Sequence, residues 1–356
     1  MSADRLYDTW FRRIRELLSA ERVTRVRNLV WLIVGLTLSR SVHLSQIAAK
    51  LPWRAALLSN VQRLTRFLQN GAFRVRPWYR PLVQPLLAET AKHDPLRLIL
   101  DASKVSAHHR LLMVALAYRK RALPIAWTWV DSSRGHSSAF KQLALLDYVR
   151  RLLPEDAQVL VVGDCEFGAV SLLQQLETWH WHYVMRQKGN TQVCVSVQRR
   201  FEHFADLAPA KDEPFWYPHA LFTLDLFHTN LLAYLQTGQD EPWLLTTNLP
   251  QAQDALRAYR RRMWIEEMFG DWKGHGVNLE NTRLCHVYRL SRLTLAVALW
   301  YQWLVTEGSR TVKAGLRHLV DRKQRRDLSI FRIGMYMIDR LFALHTACTI
   351  HLIPYF

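Results

Sequence analysis

Three carboxylates stand out by position. Asp101 closes the apolar run Leu96-Arg97-Leu98-Ile99-Leu100, and Asp164 closes Val159-Leu160-Val161-Val162-Gly163. Strand ends that emerge together in an α/β sheet form the crevice where ligands bind. Two carboxylates brought together there repel each other, so the place favours a cation such as Mg²⁺ held by oxygen ligands. Either Asp alone also suits a plain strand-ending turn or cap. The third carboxylate is Glu266, inside the helical stretch Ala252–Lys273, where Arg262, Glu266 and Lys273 follow Tyr259 at offsets of three, seven and fourteen. At ~100° per residue these four fall within about 60° of one another and form one polar stripe. Glu267 lies ~100° away from Glu266 and off the stripe. Trp264, Ile265, Met268, Phe269 and Trp272 take the other side and predict packing on the sheet. Such a stripe serves either as a solvated, salt-bridged face or as a site that meets a metal and a phosphate backbone together.

The elements that must position these groups follow from pattern. Between residues 91 and 187 the order strand–strand–strand–helix–strand–helix–strand predicts a mixed α/β sheet. It begins with a hairpin, made by the apolar runs Leu111–Tyr118 and Arg121–Val130 around the basic break Arg119-Lys120. Residues 188–241 read as a β insertion, with alternating runs at Val193–Val197, Leu221–Leu226 and Leu231–Leu235. The sheet domain resumes over 242–309, with the strand Trp243–Thr247, the long helix and a second helix near Tyr288–Thr306. Residues 1–90 show only three-and-four spacing of apolar positions and predict an all-helical domain. Residues 310–356 read as a short, basic helical tail.

Charge narrows the partner. The 356 residues hold 48 Lys+Arg against 30 Asp+Glu, a net +18, which points to a polyanion, nucleic acid first. The basic residues are spread out (Arg22, Arg25 and Arg27 early, Arg199 and Arg200 in the middle, Arg322, Lys323, Arg325 and Arg326 late), as for DNA lying along a long surface. The segment His43–Gly71 has two helical stretches broken at Pro52, with Arg54, Arg63 and Arg66 around the second. That pattern fits a helix-turn-helix reading double-stranded DNA or an ordinary helical bundle with charged edges. The four cysteines lie far apart with no C-x-x-C pair, which excludes a zinc ribbon or disulfide scaffold and suits a reducing compartment. The longest apolar stretch, Leu29–Leu38, is half of the ~20 residues a membrane span needs. The expectation is a cytoplasmic protein without a membrane partner.

The spacing Tyr259-x2-Arg262-x3-Glu266-x6-Lys273 reproduces the signature Y-x2-R-x3-E-x6-K without departure. On it the chain resembles bacterial insertion-sequence transposases of the IS-four group, which are DDE enzymes. Supporting likeness lies in Arg121–Trp127, in Trp243–Thr247 and in Leu328–Gly334 of the tail, and covers about residues 90–340. The resemblance implies an RNase H-like sheet around a catalytic, metal-binding triad of Asp101, Asp164 and Glu266, with two Mg²⁺ or Mn²⁺ ions as cofactors. It implies cut-and-paste cleavage and strand transfer at the terminal inverted repeats of a mobile element. Tyr259, Arg262 and Lys273 would hold phosphates, and Trp243 would stack on a flipped base, a contact worth ~1–3 kcal/mol. Handling two DNA ends implies a homodimer, with the N-terminal helices on the repeats. Relatives often carry Arg-Glu after the second Asp, where this chain has Cys165-Glu166; Glu166 is thus a decoy carboxylate beside the site. His108, His109 and His136 are read as structural or surface residues. A non-catalytic or domesticated DNA-binding repressor and an RNase H-like metal-dependent nuclease remain the alternatives.

Overall fold

Long apolar runs with both faces buried decide the centre of the molecule. The computed structural model describes residues 2–106, 108–131, 137–195, 200–208 and 212–356; the expectations for His136, for Arg199 and for Ser196-Val197 fall outside these. Strands β1 (Leu96–Lys104), β2 (His109–Tyr118) and β3 (Arg121–Asp131) pair antiparallel in succession. Arg119 and Lys120, both at positive φ, make the β2–β3 turn. The chain then crosses by α6 (Ala139–Arg150) to β4 (Val159–Gly163) and by α7 (Val170–Thr178) to β5 (His182–Arg186). Both β4 and β5 run parallel to β1, as a right-handed crossover through a helix requires.

The segment 188–241 does not form a sheet of its own. Its strands β6 (Gln192–Cys194), β7 (Glu202–His203), β8 (Phe215–Phe222) and β9 (Phe227–Tyr234) extend the same sheet through β10 (Trp243–Thr247). Among the described residues the result is one ten-stranded sheet in the order β3-β2-β1-β4-β5-β10-β9-β8-β6-β7. β10 pairs antiparallel with both β5 and β9, so a strand read as the return from an insertion is also its attachment.

Residues before the sheet form five helices, α1 (Ala3–Leu17), α2 (Val23–Ser39), α3 (Leu44–Ala49), α4 (Leu57–Gln69) and α5 (Val75–Ala91). The 27-residue α10 (Val287–Lys313) runs through the middle of the helical layer with Trp300 and Trp303 fully buried. It extends seven residues past the expected end at Thr306. Trp10 of α1 meets Trp303 edge-on at 5.5 Å. Arg292 of α10 is buried and donates to the carbonyl oxygens of Leu68 (2.7 Å) and Phe73 (3.0 Å) at the end of α4. That guanidinium ties the N-terminal helices to α10. Replacing it with Met is expected to leave two buried carbonyls unpaired and to cost about 3 kcal/mol. A urea unfolding midpoint that does not move would refute this.

The predicted helix over Ala252–Lys273 is interrupted. It resolves into α8 (Ala252–Tyr259), a 3₁₀ turn at Arg260–Arg262 and α9 (Met263–Trp272). Three successive guanidinium groups repel one another, and the tightened turn sends them apart, Arg261 over the Trp264 ring and Arg262 toward Asp101. Helix α11 (Ile330–Ala343) packs on α10 and is the one long helix that lies wholly within the tail. No helix among the described residues is long and apolar enough to cross a membrane. Among the described residues Cys165, Cys194, Cys285 and Cys348 form no disulfide.

Candidate active site

Asp101 and Asp164 come together through strand register. β1 and β4 are parallel with Leu100 opposite Gly163, so one step further along each strand places Asp101 beside Asp164, on backbones ~4.8 Å apart. Asp101 does not end its strand as expected. β1 continues three residues past it, because Ala102, Ser103 and Lys104 stay paired with β2. This buries Asp101 to 6% exposure. Its Oδ1 accepts the Ala102 N–H at 2.7 Å. Asp164 does leave its strand and caps a short 3₁₀ turn, Cys165–Phe167, with Oδ1 accepting the Glu166 N–H at 2.9 Å.

Glu266 approaches from α9 across the face of the sheet, and Arg262 is the link. Its Nη1 donates to Asp101 Oδ2 at 3.2 Å, and its Nη2 donates to Glu266 Oε1. Burial pushes the Asp101 carboxyl up to about 7; Arg262 works against that, and the charges of Asp164 and Glu266 add to it. Asp101 thus lies within the electrostatic reach of both other carboxylates. Glu267, on the other side of α9, pairs instead with Arg121 at 2.9 Å. The two neighbouring glutamates thus take different partners, Glu266 with Arg262 and Glu267 with Arg121.

The rest of the stripe is divided. Tyr259 is 4% exposed and meets Trp243 edge-on at 5.0 Å, with Arg262, Arg186 and Asp164 acting on its hydroxyl. Burial raises its hydroxyl to about 12. Trp243 in turn lies 6.0 Å from Tyr234, half-buried at the rim between β10 and α8. Lys273 sits just past the end of α9, pairing with Glu280 at 2.8 Å and donating to the Lys104 carbonyl at 3.0 Å. It thus reaches the end of the strand that carries Asp101, although the helix geometry used to place it stops one residue earlier. Arg63 and Arg66 are exposed on α4, and Arg54 is exposed in the segment between α3 and α4. Arg63 lies 4.2 Å from the Trp53 ring and donates to Asn28 at 3.1 Å. None of these three joins the carboxylate cluster.

One part of the site had no sequence signal. Glu166, read as a decoy, has its side chain only 4% exposed. Its carboxylate takes the Ser137 N–H (2.7 Å) and hydroxyl (2.6 Å) and the Arg110 guanidinium (2.7 Å). Burial alone would raise its pKa, but the Ser137 hydrogen bonds and the Arg110 charge hold it below the usual carboxylate range. Since its own N–H binds Asp164, this network fixes the turn that aims Asp164. Arg110 and Ser137 are too far from Glu166 in sequence for spacing to reveal them. His109 is buried beside Trp129 and Ser106, a structural placement, and His108 is exposed.

The donor chemistry fits a hard divalent cation, with three carboxylates in one field and a single guanidinium to offset them. Among the described residues no three His, Cys, Asp or Glu side chains stand close enough to enclose one ion, and the cation between Asp101 and Glu266 is Arg262.

Among curated proteins no relative matches the sequence. A solved structure titled as the synaptic complex of piggyBac transposase with hairpin DNA is similar at 9% identity with a TM-score of 0.45, over 94% of this chain and 77% of that one. The profile of the transposase DDE domain matches residues 92–303, a span that opens just before β1, holds Asp101, Asp164 and Glu266, and closes within α10. With well over half of its length in that match, the chain belongs to the transposase DDE domain family.

Proposed function

We propose that this transposase acts by cut-and-paste, cleaving DNA at the terminal inverted repeats of an insertion sequence and joining the freed ends to a target. The observation that carries the reading is the convergence of Asp101, Asp164 and Glu266 on the two sides of Arg262. Asp101, Asp164 and Glu266 would hold two Mg²⁺ or Mn²⁺ ions on an RNase H-like sheet. Bound there, divalent ions supply the Lewis acidity that activates an attacking hydroxyl and stabilises the leaving oxygen. The chain's own part is placement. The Glu166 network fixes the turn of Asp164, and burial in β1 fixes Asp101. Arg262 and Lys273 offer positive charge to phosphates near the scissile bond, orienting more than reacting. Tyr259 supports Trp243, whose half-buried ring is the surface offered to an unstacked base.

In this reading residues 1–90 form the end-binding domain, with Arg54, Arg63 and Arg66 on double-stranded DNA, and 188–241 enlarges the catalytic sheet of 91–187 and 242–309. The tail, 310–356, braces α10. Two DNA ends call for two sites, hence a homodimer in the synaptic complex. The test is cleavage of DNA carrying the element's own flanking repeats, with Mg²⁺ and then with EDTA. Metal-dependent nicks at the repeat ends together with joined products are expected. Tight end binding with no cutting would overturn the catalytic reading, and cutting at random without joining would reduce it to a nuclease.

A further inference from the structure

A second basic feature lies on the same face of β1 as Asp101, four residues toward its start and so about 13 Å away. Arg97, Leu160 and His182 are register neighbours across β1, β4 and β5 and form the floor of a cavity of about 240 Å³. Arg257 and Arg261, from α8 and the turn after it, form its wall. A contiguous cavity of about 320 Å³ shares Arg97 and Arg261 and continues past Trp264 to Arg119. The two make an elongated groove rather than a cup for one ion.

Its charges are not balanced. Asp94 pairs with Arg97 at 3.4 Å and Asp254 with Arg257 at 2.9 Å, both at exposed positions, where ion pairs are worth little. Arg261 has no acidic side chain within ion-pair distance among the described residues, and its guanidinium rests 5.8 Å from the centre of the Trp264 ring. Burial, followed by the like charges of Arg97 and Arg257, lowers its pKa against the pull of Asp94. Half-buried like charges gathered in a groove are costly unless an anion joins them. A guanidinium fork flanked by an aromatic face matches the oxygens of a phosphodiester chain.

We infer that this groove is a binding site for the phosphate backbone of nucleic acid, separate from the carboxylate site and from the N-terminal arginines. The inference deepens the DNA-acting reading and rests on it. Arg97 and Arg261 face the strand, and Arg119 extends the track.

The test is fluorescence anisotropy of the full chain with a labelled duplex over a salt series, comparing the native protein with Arg97→Gln/Arg261→Gln. The logarithmic salt slope is expected to become shallower by roughly two for the double variant and roughly one for Arg261→Gln alone. Equal slopes in all three would overturn the groove while leaving DNA binding intact. Both variants relieve repulsion, so their thermal midpoints should not fall. If the double variant fails to fold, the single one decides. If the native chain binds no duplex, the DNA-acting reading fails, and inorganic phosphate then decides the groove. A native midpoint raised by phosphate over chloride at equal ionic strength, and not raised in the double variant, supports an anion site. No such rise would overturn it.

Discussion

Glu266→Ala removes DNA strand cleavage by on the order of a thousandfold or more, while end binding and its salt slope stay as they are. Glu266 is the only carboxylate of the three that comes from a helix, and its side chain is 42% exposed. It therefore carries little of the fold, and Arg262 keeps its second partner, Asp101, at 3.2 Å. Loss of activity would then report chemistry and not unfolding. The neighbouring Glu267→Ala is the built-in control. Glu267 belongs to the Arg121 pair on the other side of α9, and its loss should leave cleavage within a few-fold of native, as for other exposed positions away from a site. Single-turnover cleavage with Mg²⁺, run beside anisotropy on the same DNA, measures both. Residual cleavage by Glu266→Ala near the native rate, or equal losses in the two variants, would refute the triad.

What the sequence could reveal divides along a physical line. Asp101, Asp164 and Glu266 were legible because each is tied to a local pattern, an apolar strand run or a helical stripe, and such patterns survive folding. The strand order from Leu96 to Arg186 was legible for the same reason. The burial of Tyr259 was not legible because helical angle tells which way a side chain leaves the axis, not what covers it. Here Trp243, a neighbour only through β10, closes over that face. The 3₁₀ break at Arg260–Arg262 was hidden because the helical spacing runs on through it, and only the fold brings Arg262 to Asp101 across the sheet. Segment 188–241 looked like a separate insertion because alternation predicts strands without predicting which edge they join. β10 supplies that edge, pairing with β5 on one side and β9 on the other.

The Glu166 network shows the same limit more sharply. Position 166 drew notice only through its closeness to Asp164. Its three donor contacts come from Ser137 and Arg110, residues held near it by α6 and β2. A carboxylate two residues from a candidate ligand reads as a rival for an ion until its own oxygens are seen to be engaged elsewhere. Once they are, the residue becomes part of what holds Asp164 still, which is the task a preorganised site assigns to its supporting shell.

Gly308→Ala is expected to destabilise the protein by about 3 kcal/mol, at the upper end of what overpacking a core position costs. Gly308 of α10 and Gly334 of α11 face each other where the two helices touch backbone to backbone. A Cβ on Gly308 would stand 1.9 Å from the Ile330 carbonyl oxygen, and one on Gly334 would stand 1.8 Å from that of Leu304. The obstacles are backbone atoms, so no side-chain rotation relieves them and the helices must separate. Separation would also loosen Phe331 from the Trp300 and Tyr301 rings, which it meets at 5.6 and 5.3 Å. Since α10 carries both Arg292 and the Trp303 contact to α1, the damage should spread from the tail toward the N-terminal helices. Urea denaturation of Gly308→Ala and Gly71→Ala gives the comparison, because a Cβ at Gly71 meets nothing within 4 Å. A midpoint for Gly308→Ala equal to that of Gly71→Ala would mean that α10 and α11 are not packed backbone to backbone, and that the tail does not brace the catalytic layer as argued.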